Sequence, residues 1–223
     1  MHYRCEALSI AGFIQQLAVS YLPRGYYFHV TGRIPRGKNP AEVDRKLIEK
    51  YRIGGSKWAR ARRKLSGLAS VQYLRHLDFF VLLATHGSHR FFEEEAQVIR
   101  DARRTPVRYA GYAVSFRGGH SCVRIDRETF RDLKSCFLDL ALHRSAAHLE
   151  VQLRALPFEP YAPIRSQLLQ LVRAVNGKRK AAGFEPVSPR CLRLHRHIIR
   201  PFDELPSPRE LALASRPSAR PDR

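Results

Sequence analysis

Acidic residues are what this chain has too few of. Its 223 residues hold 20 Asp and Glu against 40 Lys and Arg, a formal net charge of +20. Cysteine is scarce as well. Cys5, Cys122, Cys136 and Cys191 are scattered, which excludes a disulfide scaffold, and no Cys-x2-Cys pair exists to build a zinc finger. No apolar run approaches the roughly 18 residues a membrane span needs. The phosphate-loop, dinucleotide and Gly-x-Ser-x-Gly signatures are all missing. An apolar patch lies within residues 1–22, but Glu6, Gln15 and Gln16 interrupt it, so it does not read as a signal peptide. The expectation is a cytoplasmic protein with reduced thiols.

At 44% hydrophobic residues the chain is too apolar to be wholly disordered. Its length suits one domain of moderate size, or two small ones. A cationic surplus of this kind repels itself on a compact surface and attracts polyanions, of which nucleic acid is the commonest. Arg makes up 32 of the 40 basic residues. Its planar fork pairs with phosphate through two bonds and stacks on bases. DNA or RNA is therefore the expected partner. No basic amphipathic helix with a broad Leu/Phe/Trp face is evident, so a membrane surface is not.

Local patterns predict the elements. Ile10, Phe13, Ile14, Leu17 and Ala18 recur at helical spacing. After a turn at Pro23-Arg24-Gly25, the aromatic and β-branched stretch Tyr26–Thr31 reads as a strand ending near Ile34-Pro35. Asn39-Pro40 starts a helix with Val43, Leu47, Ile48 and Tyr51 on one face, stopped by Gly54-Gly55. Ser56 caps a basic helix over Lys57–Leu65. Strands are expected at Leu68–Leu74 and, buried on both faces, at Phe79–Thr85. A helix is expected from Glu93 to Arg103. A hairpin joins Tyr109–Phe116 to Cys122–Ile125 through Gly118-Gly119. Asp126 caps a long helix, a second runs from Pro163 to a stop at Asn176-Gly177, and a short strand follows at Leu192–Ile199.

The expected fold class is α+β: a mainly antiparallel sheet covered by helices, with helical additions at the C-terminal end. Residues 1–202 form a single domain in this reading, with a sub-boundary near 126 setting off a helical part over 126–180. Residues 203–223, rich in Pro, Arg and Ser, read as a disordered tail.

The sharpest functional signal is residues 52–64, where Arg52, Lys57, Arg60, Arg62, Arg63 and Lys64 occur without an acid and surround the single tryptophan, Trp58. On a helix, Arg60, Arg63 and Lys64 share a face and can track phosphates. Trp58 is expected in the core, with base stacking as the alternative. Tyr26, Tyr27 and Tyr73 are further stacking candidates. A second basic stretch over residues 173–200 includes Lys178, Arg179, Lys180, Arg193 and Arg196. Arg117 and His120 flank the hairpin tip, which could enter a groove.

Two alternatives come with their own residues. His86, His89 and Glu93 could hold a divalent metal for a nuclease of a mobile element. Leu194-His195-Arg196-His197-Ile198 resembles the paired-histidine metal site of rolling-circle replication and relaxase-type nucleases. There the intervening residue is normally apolar, and a nucleophilic tyrosine commonly sits on a later helix; here it is Arg196, and no tyrosine follows Tyr161. The other alternative is an adaptor for an acidic protein surface. The leading expectation assumes neither catalysis nor a cofactor.

Overall fold

The computed structural model describes residues 3–196 and 199–202. Helix α1 (Ile10–Gln15) starts at Ser9, whose hydroxyl accepts from the Gly12 amide, and continues as a π-helical turn over Gln16–Tyr21 and a short 3-10 turn over Leu22–Arg24. Strand β1 (Phe28–Arg33) follows, then α2 (Pro40–Lys50), α3 (Lys57–Leu65), β2 (Val71–His76) and β3 (Phe79–Ala84). Helix α4 (Arg90–Glu94) and β4 (Arg100–Asp101) complete this half. Strands β5 (Val107–Tyr109), β6 (Tyr112–Arg117) and β7 (His120–Ile125) come next, followed by α5 (Arg127–Leu140), α6 (Ala146–Arg154) and α7 (Ala162–Ala181).

The fold is α+β with two antiparallel sheets, one of four strands in the order β2-β3-β1-β4 and one of three in the order β5-β6-β7. Side chains alternate across a strand, and here both faces of the larger sheet are covered. Leu74, Val81 and Leu83 face a large core shared with α1, the smaller sheet and α7. Val71, Tyr73, Leu82 and Ala84 face a second core with Tyr51 and Phe91. The large core draws on residues from Ala7 to Leu192, on both sides of residue 126. Among the described residues no helix is long and apolar enough to cross a membrane.

The free edge of β2 is covered by the N-terminal segment. The Arg75 amide donates to the Cys5 carbonyl at 2.8 Å, the Ala7 amide to the Arg75 carbonyl at 2.7 Å, and the Tyr73 amide to the Tyr3 hydroxyl at 3.0 Å. An uncovered edge is a template for aggregation.

Several expectations need correction. The helix predicted over Glu93–Arg103 is only Arg90–Glu94; Ile99 packs on the smaller core and Asp101 pairs with Phe28 as β4. Residues 109–116 are not one strand, because Ala110 (φ 48°) and Gly111 (φ 79°) turn the chain between β5 and β6. Asn176-Gly177 does not stop α7, which runs to Ala181. Asn176 instead exchanges hydrogen bonds with the Val187 backbone, both at 2.8 Å. No strand forms at residues 192–196, which follow a 3-10 turn at Pro189–Cys191. On α2 the buried stripe carries Asp44 rather than Val43 beside Leu47, Ile48 and Tyr51.

Candidate nucleic-acid interface

The strand pairing delivers residues from distant parts of the chain to one end of the larger sheet. Phe28 pairs with both Ala84 and Asp101, and Val71 pairs with Ala84. The start of β1, the start of β2, the end of β3 and the end of β4 therefore coincide. Tyr26, Ser70, Thr85 and Arg103, each just outside a strand, meet there by topology alone.

Helix α3 lies alongside this end. The Ser56 hydroxyl caps it by accepting from the Ala59 amide at 3.1 Å. Lys57, Arg60, Ala61 and Lys64, spaced by three and four residues, occupy one face. That face and the turn carrying Arg24 enclose a hollow of about 410 Å³ over Tyr26, Ser70 and Thr85. A second hollow of about 420 Å³ shares Arg24, Lys64 and Thr85 with the first and extends past Tyr27 and Phe28 to His86 and Arg103. The two form one groove whose lining holds five Lys and Arg side chains and no carboxylate.

The floor is polar and fixed. The Ser70 amide donates to the Thr85 hydroxyl at 2.9 Å, and Gln72 donates to the Tyr26 hydroxyl at 3.5 Å. Burial pushes the Tyr26 phenol up while Arg60 and Arg24 pull it the other way, so the hydroxyl stays a donor inside a cationic field. Arg103 is held by Asp101 through contacts of 2.7 to 3.0 Å and lies 4.9 Å from the centre of the Tyr27 ring. Its charge is partly offset and its position set.

Helix α3 buries none of its residues. Trp58 is 79% exposed, overturning the expectation that it faces the core, and Leu65 is 88% exposed. The two lie seven residues apart on the outer arc, next to exposed Arg62. Arg63 leaves the groove face: its guanidinium donates to the Ala69 carbonyl. Arg52, with φ of 50°, is exposed and lines a small hollow with Arg63 and His89 that shares Arg60 and Ser70 with the groove. Of the other aromatic candidates, Tyr27 is half-buried and lines the groove, whereas Tyr73 is fully buried.

Two of the groove cations also donate to backbone, Arg24 to the Ser20 carbonyl and Arg60 to the Gly55 carbonyl; in the second basic stretch such contacts predominate. Arg179 is 3% exposed and donates to the carbonyls of Glu185, Ala141 and Arg144. Lys178 donates to the Leu138 carbonyl, and Arg193 to those of Leu156 and Phe158. Arg196 lies 4.7 Å from the Tyr161 ring centre. Lys178, Arg179 and Arg193 thus satisfy backbone acceptors at helix ends and loops. Lys180 is exposed at the end of α7. Neither hollow of the groove includes a residue of this stretch. Arg117 and His120 stand exposed at the β6–β7 tip, where Gly118 (φ 57°) and Gly119 (φ 80°) form the tight turn.

Among the described residues no three His, Cys, Asp or Glu side chains gather to hold a metal ion. His89 accepts the Phe91 amide on Nδ1 as the cap of α4, His86 lines the groove, and Glu93 faces solvent. His195 is exposed, and its partner His197 lies outside the described residues.

Sequence reading located α3 but missed Arg24, Ser70, Thr85 and Arg103 as its companions. No local signal marks them, since only strand pairing unites them. Compared with known proteins, the chain matches no family model, and no curated protein is significantly similar to it.

Proposed function

We propose that the groove between α3 and the end of the four-stranded sheet holds the phosphate backbone of a nucleic acid. The observation that carries this reading is the stripe of Lys57, Arg60 and Lys64 facing Arg24 across a lining free of carboxylates. Like charges three and four residues apart destabilise a helix by a few tenths of a kcal/mol per pair, and a nine-residue helix that buries nothing is marginal by itself. A polyanion in the groove removes that repulsion. The exposed indole of Trp58 gives a base a face to stack on, next to the phosphate track. The reading involves no catalytic step and no cofactor.

Backbone contacts release counterions, so affinity for an oligonucleotide should fall steeply with salt. Six duplex phosphate contacts give a log–log slope of about −5. Protein purified without a high-salt wash should also absorb strongly at 260 nm from retained nucleic acid. A flat salt dependence overturns the proposal, and copurification of an acidic protein in place of nucleic acid favours an adaptor role.

A further inference from the structure

The three-stranded sheet covers the core with one face only. Val107, Val114 and Val123 form a rung on the inner side. The next rung, Arg108–Ala113–Arg124, points outward, because paired residues share a face and neighbours along a strand do not. Ala113 places only a methyl group between the two arginines, and the outer face holds a trough of about 320 Å³. Its lining holds four arginines, Arg108, Arg117, Arg124 and Arg127, and one carboxylate, Asp126. Asp126 lies 3.2 Å from the Arg108 Nε and also caps α5 by accepting the Glu128 amide. It anchors Arg108 beside the gap and leaves the other three arginines uncompensated within the trough. Strand spacing sets Arg108 and Arg124 about 10 Å apart at the backbone, a separation two arginine side chains can close around one tetrahedral anion.

We infer that this trough is a second phosphate-binding surface for nucleic acid, in which Arg108 and Arg124 clamp one backbone phosphate over Ala113. The inference rests on the reading of the α3 groove as a nucleic-acid interface and adds a second contact to it.

The test compares three variants of the full chain with wild type, on one long duplex oligonucleotide over a range of salt. Far-UV circular dichroism and melting temperature verify that each variant is folded. Arg108→Gln with Arg124→Gln should make the log–log slope shallower by about 0.9, the share of one phosphate. Ala113→Leu, which fills the gap without changing the charge, should do the same. The third variant, Lys57→Gln with Arg60→Gln and Lys64→Gln, reports on the groove alone. If it lowers the slope while both trough variants keep the wild-type value, the clamp is wrong and the groove stands. If the trough variants lower the slope and the groove variant does not, the groove is wrong. If charge removal acts and Ala113→Leu does not, the arginines act only as a distant field and the clamp is overturned.

Discussion

Arg63 donates from Nε and Nη2 to a single oxygen, the carbonyl of Ala69, at 3.1 and 2.9 Å. This contact ties α3 to the chain entering β2 and sets the roll of the helix, so that Lys57, Arg60 and Lys64 face the groove. Arg63 therefore differs from Lys57 and Lys64, while Arg60 lines the groove and also donates to the Gly55 carbonyl. Arg63→Ala should weaken nucleic-acid binding and speed amide exchange in α3 while leaving the salt slope unchanged. Lys64→Ala should make the slope shallower by about 0.9. Equal slope changes in the two variants would put Arg63 on phosphate instead.

Trp58 is the one tryptophan in the chain and is 79% exposed. Trp58→Ala should leave the melting temperature unchanged and reduce affinity for single-stranded nucleic acid by about 1–3 kcal/mol. Its fluorescence is a clean reporter of binding and should be quenched on titration with oligonucleotide. A large loss of stability would place the indole against the protein.

Asp44 is a buried charge on the inner face of α2. It accepts the Tyr73 hydroxyl at 2.6 Å and the Arg75 Nε at 2.9 and 3.1 Å, and Arg75 continues to Glu6 at 3.0 Å. Removing one partner of a buried pair strands the other. Asp44→Ala should cost about 3–5 kcal/mol in denaturant unfolding, and Asp44→Asn less, because it keeps an acceptor for Tyr73. A cost below about 1 kcal/mol for the alanine variant, in the range of an exposed ion pair, would show that the pair is solvated.

His29, the second residue of β1, is 2% exposed, and burial lowers its pKa from 6.5 to about 4. The unfolded chain takes up the proton first, so stability falls as pH drops from about 6.5 to about 4 and the loss levels off below that. The full effect is about 3 kcal/mol, since each pKa unit corresponds to about 1.4 kcal/mol. Burial lowers His76 and His89 as well, in the same direction. Comparing wild type with His29→Leu by urea unfolding at each pH isolates the contribution of His29. The variant should lose less stability than wild type over this window, and parallel curves would contradict the assignment.

Much of the fold was legible because its signals are local. Asn39, Ser56 and Asp126 each cap the helix that their side chains announce, and Gly118-Gly119 turns the hairpin as its backbone freedom suggests. What misled was also local. Asn176-Gly177 looks like a helix stop, but Asn176 is held within α7 by a backbone eleven residues further on. Arg179 looks like surface charge, yet its guanidinium is spent on three buried or half-buried carbonyls. Of the groove, the sequence displays one wall. The other wall and the floor come from Arg24, Tyr26, Ser70, Thr85 and Arg103, which only the pairing of four strands brings together.

The proposed function requires that phosphate is held at a built groove and not by overall charge alone. Its most direct test is a comparison of two triple variants that remove the same charge. Lys57→Gln, Arg60→Gln and Lys64→Gln empty the groove wall; Arg45→Gln, Lys46→Gln and Lys134→Gln remove three exposed cations from α2 and α5. The groove variant should make the log–log salt slope of nucleic-acid binding shallower by about 2.7, three contacts at roughly 0.9 each, while the control stays near wild type. Identical slopes for the two variants would contradict the account.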